Sequence, residues 1–162
     1  MPFKKEFIGI IQENAGLIYK TAKLYTNSKE DEQDLYQEIV YQLWKSYPSF
    51  RAEAKISTWM YRIAMNTAIA HLNKEKRKGN QVPIDEWLLN QTEITDTALD
   101  ERSAALFAQI KRLNDIEKGI VLLYLEGKTY DEIAGITGFS ETNVGTRLAR
   151  IKQKIKDQIN QP

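Results

Sequence analysis

Near the C-terminus, Thr142, Asn143, Thr146, Arg147, Arg150 and Lys154 fall on one side of a segment with a narrow apolar stripe. That stripe, Val144, Leu148, Ile151 and Ile155, recurs at helical spacing. Hydroxyls and an amide in the first turns of a helix, followed by guanidinium groups, suit the major groove of DNA. Short polar side chains hydrogen-bond base edges there, and arginine pairs bidentately with guanine or holds phosphate. Lys152, Lys154 and Lys156 suit phosphate. The competing reading is a solvated, lysine-rich face of a helical bundle, and the residues upstream weigh against it. Ser140 stands where an N-cap belongs, Thr137-Gly138-Phe139 reads as a turn, and Thr129 with Glu132 forms a capping box for a short helix over 130–136. Ala134 is small enough to let two helices approach closely. A short helix, a glycine-containing turn and a longer capped helix make a helix-turn-helix over residues 130–157. Gly135-Ile136-Thr137-Gly138 also matches the loop of a KH domain, but that fold needs strands, and no strand-like alternation of useful length occurs in the chain.

A second constellation lies in the N-terminal half. Phe50, Arg51, Lys55, Trp59, Tyr61, Arg62 and Asn66 interleave rings, cations and an amide, and they lead into the basic run Lys74-Glu75-Lys76-Arg77-Lys78. This mixture suits single-stranded nucleic acid, whose bases stack on rings while cations follow the phosphates. The alternative is that Trp59 and Tyr61 are core residues. Trp59 and Asn66 are two helical turns apart and so share a face. Upstream, Asp31, Asp34 and Glu38 lie three and four apart on one helix face, which makes either a solvated surface or an acidic patch for a basic partner.

Helices must position these groups, and helical periodicity dominates the chain. Phe7, Ile11, Ala15, Ile18, Ala22 and Tyr25 predict one continuous first helix. Ser28 predicts the N-cap of the next, with Asp31 in its first turn, a stripe of Leu35, Ile39 and Leu43, and a stop at Pro48. Ser57 predicts the cap of a third helix running to about Arg77, with Ile56 and Tyr61 at the positions of a hydrophobic staple. Gly79 and Pro83 break the pattern, and the stretch to Thr97 reads as a linker, in which Trp87-Leu88-Leu89 is a candidate docking turn. Helices resume over 98–113. Asn114 with Glu117 begins a helix ending near Glu126, where Gly127 is a C-terminal stop, and the last helix runs from Ser140 to about Ile159. The expected fold is all-α. Two small helical domains, 1–78 and 98–162, are joined by an acidic linker, 79–97, and the C-terminal domain is a helix-turn-helix.

The net charge of +1 conceals a division along the chain. Residues 1–78 carry 13 Lys and Arg against 9 Asp and Glu, and residues 102–162 carry 10 against 7. Residues 79–101 between them carry 6 Asp and Glu and no Lys or Arg. Two basic blocks therefore flank an acidic connector, which assigns nucleic-acid contact to the blocks and not to the connector. The absence of cysteine excludes disulfides and thiolate metal sites. No apolar run approaches the length of a membrane span, and the first residues alternate apolar and charged groups without the core of a signal peptide. These features place the chain in the cytoplasm, without membrane insertion. The single histidine, His71, reads as a polar residue on the third helix. With no metal-ligand cluster, phosphate loop or nucleophile–base pair, neither catalysis nor a cofactor is expected.

At three places the residues resemble a known family, the bacterial RNA polymerase sigma factors of the extracytoplasmic-function (ECF) type within the sigma-70 family. Asp34-Leu35-Tyr36-Gln37-Glu38-Ile39-Val40 with Leu43-Trp44 is similar to the segment that binds the clamp helices of the polymerase β′ subunit. The run from Ser57 to Asn66 is similar to the segment that melts and reads the −10 promoter element. The run from Leu125 to Ala134 resembles the start of the helix-turn-helix that reads the −35 element. The resemblance implies that Asp34, Gln37, Glu38 and Trp44 dock on core RNA polymerase, with β′ and β as partner subunits. It implies that residues 50–56 capture a flipped −10 base near Asn66, and that Trp59 and Arg62 border the melted junction, with Phe50, Arg51, Lys55, Lys74 and Arg77 completing the −10 surface. Ser140, Thr142, Asn143, Thr146, Arg147, Arg150 and Lys154 would meet duplex −35 DNA, and the acidic linker would lie in polymerase channels. An anti-sigma factor joins the candidate partners. Four positions depart from the pattern: Val40 stands where Phe is frequent, Met65 where Arg is common, His71 where Asp is common, and Gly145 where Lys or Arg often sits. The competing function is a helix-turn-helix repressor or activator whose N-terminal helices dimerise. It would bind a palindrome without docking on polymerase.

Overall fold

The computed structural model describes residues 2–51, 55–77 and 101–160, with side chains for 4–51, 55–74 and 104–160. Every regular element among them is helical. The chain divides into two compact units, Met1–Ile94 and Thr95–Pro162. The expected linker, 79–97, and its Trp87-Leu88-Leu89 turn lie outside the described residues.

The first unit is built from α1 (Pro2–Glu13), α2 (Ala15–Leu24), α3 (Lys29–Ser46), a 3-10 turn (Tyr47–Ser49) and α4 (Ile56–Arg77). The periodicity predicts one first helix, and the structure shows two. Asn14 leaves helical geometry at φ −118° and ψ 19°, and its side-chain amide donates to Ile10 O at 2.9 Å. A short polar side chain that bonds nearby backbone competes with the helix ladder, and Asn14 breaks the helix in this way. The second helix starts as expected, with Ser28 Oγ accepting from Asp31 N at 3.1 Å and Glu30, Asp31 and Glu32 in the first turn, where the helix dipole favours them. It ends where Pro48 enters the 3-10 turn. The third expected helix begins two residues earlier than a cap at Ser57 implied: Trp59 N bonds to Lys55 O at 3.2 Å, so Ser57 sits inside the first turn. The core is made by Ile18, Ala22 and Leu24 of α2, Leu35, Ile39 and Leu43 of α3, and Met60, Ala64 and Ala68 of α4, all essentially without solvent exposure. Each fully buried aliphatic side chain contributes about 1.5–3 kcal/mol, and the three stripes hold α2, α3 and α4 together. The hydroxyls of Thr21 and Thr26, also buried, donate to Leu17 O and Ala22 O at 2.9 and 2.7 Å.

The second unit holds α5 (Glu101–Lys111), α6 (Asp115–Leu125), α7 (Tyr130–Thr137) and α8 (Glu141–Asn160). Both expected capping boxes form. Glu117 N donates to Asn114 Oδ1 at 2.9 Å and Asn114 N to Glu117 Oε1 at 3.1 Å, while Glu132 N donates to Thr129 Oγ1 at 3.1 Å and Thr129 N to Glu132 Oε1 at 3.0 Å. Gly127 and Gly138 take left-handed φ of 84° and 87°, which an L side chain resists, and there they end α6 and α7. Ser140 Oγ accepts from Asn143 N at 3.1 Å and caps α8. Val144, Leu148 and Ile151 of α8 are buried with Ile133 and Ile136 of α7 and with Ile120, Val121 and Leu123 of α6. This fixes the short helix and the long helix of the motif against one support, with the polar side of α8 turned outward.

Candidate polymerase and nucleic-acid interfaces

On α3, Asp34, Gln37 and Glu38 are exposed, but they do not face one surface. Asp34 and Glu38 border a groove shared with Asn66, His71 and Lys74 of α4. Gln37 and Trp44 border a second, apolar groove against α1, with Ile8, Val40 and Tyr41. Ile8, Tyr41 and Trp44 are 45%, 55% and 41% exposed, so this groove presents apolar surface to solvent. Ile8 and Tyr41 were missed by the sequence reading, because an exposed apolar residue next to a buried stripe looks like part of that stripe. Asp31, grouped with the acidic face from its spacing, is paired with His71, which borders the groove of Asp34 and Glu38. Asp31 Oδ1 lies 2.9 Å from His71 Nε2, and the pair ties α3 to α4 across forty residues of chain.

An aromatic chain crosses the same unit. Trp44 meets Phe7 at 5.0 Å edge to face, Phe7 meets Tyr47 at 5.5 Å, Tyr47 meets Trp59 at 6.2 Å, and Trp59 meets Phe50 at 4.9 Å. Burial, then the negative charge of Glu6 and its hydrogen bond at 3.4 Å, raise the Tyr47 phenol above the ordinary tyrosine range, so it stays neutral within the cluster. Trp59 is half-buried at the end of α4, while Arg62, Asn66 and Lys74 are exposed further along that helix. Arg51 and Lys55 are exposed and Phe50 is half-buried; residues 52–54 and the Arg77 side chain lie outside the described residues. Phe50 and Trp59 are thus in ring contact at the start of α4, Arg62 and Asn66 are exposed further along it, and Asn66 also borders the groove of Asp34 and Glu38. Met65 is buried, at 5% exposure, and belongs to the core.

On α8, Thr142, Asn143, Thr146 and Arg150 are exposed, and Arg147 is half-buried. The Thr146 hydroxyl donates back to Thr142 O at 3.2 Å. Arg147 Nε donates to Asn143 Oδ1 at 3.1 Å, and its guanidinium lies 4.1 Å from the centroid of the Phe139 ring. Lys154 is ion-paired at 2.9 Å with Glu117, the same carboxylate that closes the α6 capping box, and a phosphate contact by Lys154 has to compete with that pair. Lys152 lies over Tyr124, whose hydroxyl bonds its ammonium at 3.2 Å and raises it above the ordinary lysine range. A Cβ at Gly145 would meet the edge of the Tyr130 ring at 3.4 Å. Position 145 thus faces α7. Among the described residues no group of three or more His, Asp or Glu is placed to hold a metal ion, and no helix is long and apolar enough to cross a membrane.

The family model for sigma-70 region 2 matches residues 10–78, and that for sigma-70 region 4 matches residues 103–155. The ECF RNA polymerase sigma-E factor of Haemophilus influenzae is 30% identical over 86% of this chain and 82% of its own length. That of Escherichia coli K12 is 29% identical over 80% of this chain and 74% of its own. The chain is a member of the ECF group of sigma-70 factors. The sigma factor also shares its fold with a solved structure, that of RpoE in complex with the anti-sigma factor NepR from Bartonella quintana. The TM-score is 0.73 at 15% identity, covering 97% of this chain and 99% of the other. As a sigma factor it binds core RNA polymerase and directs transcription initiation at promoter DNA. The reading as a repressor or activator acting without polymerase is not favoured.

Proposed function

We propose a division of labour between the two units of this sigma factor. The first docks on core polymerase through Asp34, Gln37, Glu38 and Trp44 and opens and reads the −10 element through Phe50, Arg51, Lys55, Trp59, Arg62, Asn66, Lys74 and Arg77. The second presents to duplex −35 DNA the surface formed by Ser140, Thr142, Asn143, Thr146, Arg147, Arg150 and Lys154. The observation that carries this reading is the first half of α4, where an aromatic cluster ends at Trp59 and an exposed arginine and asparagine follow one and two turns along the helix. Rings beside cations and an amide are what a melted strand requires. On α3, the acidic residues and the apolar groove of Trp44 supply charge and apolar contact for a protein partner. The factor is non-catalytic, works in the cytoplasm and is held by an anti-sigma factor, as the solved RpoE complex supports. Start-site mapping with holoenzyme on genomic DNA gives the promoter. Asn66→Ala then alters base preference only within the −10 element, and Arg150→Ala only within the −35 element. An effect of either variant at the other element overturns the division.

A further inference from the structure

Arg147 is constrained on two sides. Its Nε–H is taken by Asn143 Oδ1 at 3.1 Å, and the Phe139 ring covers one guanidinium face at 4.1 Å. A guanidinium carries five N–H donors in one plane. With one edge and one face engaged, that plane is set, and the Nη1/Nη2 end remains to bind. The acceptor of Asn143 is committed to the same contact, yet an asparagine needs that oxygen to pair bidentately with adenine. Gly145 offers no side chain, so guanidinium reading by α8 falls to Arg147 and Arg150.

We infer that Phe139 and Asn143 are positioning residues for the −35 contact. They hold the terminal fork of Arg147 ready for a paired acceptor edge, that of guanine, and Asn143 itself reads no base. The inference rests on the proposal that α8 reads −35 DNA. Arginine in water samples many rotamers, and immobilising a flexible side chain on binding costs enough to change affinity by about 2- to 12-fold. A pre-set arginine avoids that loss, and it avoids it only at the base that Arg147 contacts.

The test is a promoter library with a randomised −35 element, transcribed by holoenzyme carrying each variant, with thermal melting to verify folding. Arg147→Ala is expected to erase the guanine preference at one position. Phe139→Leu and Asn143→Ala are each expected to lower that same preference by about 2- to 12-fold and to leave every other position unchanged. Phe139→Tyr restores the preference, because the ring is kept. Neither Phe139→Leu nor Asn143→Ala has any further effect when combined with Arg147→Ala. If Arg147→Ala erases a base preference while Phe139→Leu and Asn143→Ala spare it or act additively, the positioning role is wrong and the −35 reading stands. A new adenine-linked loss in Asn143→Ala also overturns it, by making Asn143 a reader. If Arg147→Ala and Arg150→Ala both leave the −35 profile unchanged, the −35 reading and the positioning role fall together.

Discussion

Trp59→Ala removes a ring that lies 4.9 Å from Phe50 and 6.2 Å from Tyr47. Each aromatic pair contributes about 0.5–1.5 kcal/mol beyond its buried area. Because Trp59 is only half-buried, the loss stays below the roughly 3–5 kcal/mol of a fully buried tryptophan. The first unit, with α2, α3 and α4 packed through eleven buried apolar side chains, is expected to stay folded at assay temperature. The functional loss is a separate quantity. A ring stacking on a base at the edge of a melted region contributes about 1–3 kcal/mol, or about 5- to 150-fold in open-complex formation. On duplex promoters the missing ring no longer offsets the cost of opening, so transcription falls by that factor. On a template with a pre-opened −10 bubble the opening is already supplied, and activity recovers most of the way to wild type. Asn66 lies two turns further along α4, about 10 Å from Trp59 along the helix, and it is exposed. Asn66→Ala is not rescued in this way: it transcribes the bubble template with weakened preference among −10 bases. The assay is multi-round transcription on matched duplex and bubble templates, with circular dichroism to exclude unfolding. Equal loss for Trp59→Ala on both templates, in a folded protein, would refute the melting role and assign Trp59 to packing or to base reading.

Two further variants follow from the geometry. Asp34→Arg with Glu38→Arg changes two exposed side chains and sacrifices one exposed hydrogen bond, from Gln42 to Glu38 at 3.0 Å, so helical content is unchanged. Like charges set against a basic partner surface cost several kcal/mol, and co-purification with core polymerase is lost; retention at the wild-type level refutes the assignment. Gly145→Ala gains about 1 kcal/mol of helix propensity. Its Cβ reaches the edge of Tyr130 at 3.4 Å, a contact that a ring 38% exposed can accommodate. The melting temperature of the second unit rises by about 4–8 °C, as measured by calorimetry; a fall shows that Tyr130 does not yield.

What could be read from the sequence was the local part of the structure. Ser28 with Asp31, Asn114 with Glu117, Thr129 with Glu132, and Ser140 with Asn143 are partners three residues apart, and these four of the five expected caps form; the fifth, Ser57, lies inside the first turn of α4. The glycines that close α6 and α7 were legible for the same reason, since a left-handed residue is a local demand. Contacts across long stretches of chain were not legible. Nothing in the spacing connects Asp31 to His71, Phe7 to Trp44 or Glu117 to Lys154, and each became visible only when helices were packed together. Asn14 was missed because its effect depends on its own side chain bonding backbone, which the apolar period running through it conceals.

The positions at which the chain departs from its family make the same point about function. Met65, His71 and Gly145 stand where the resemblance leads one to expect charged residues, and Gly145 in particular lacks a side chain for a base contact. In the structure Met65 is in the core, His71 is paired with Asp31, and Gly145 lies against Tyr130. All three therefore face neighbouring helices, so their first effect is on how α4 meets α3 and how α8 meets α7. A helix that turns or shifts changes the direction of every side chain on its outer face. Asn66 shares α4 with Met65 and His71, and Arg147 shares α8 with Gly145. The departures therefore sit in the packing beneath α4 and α8, the helices that carry Asn66 and Arg147.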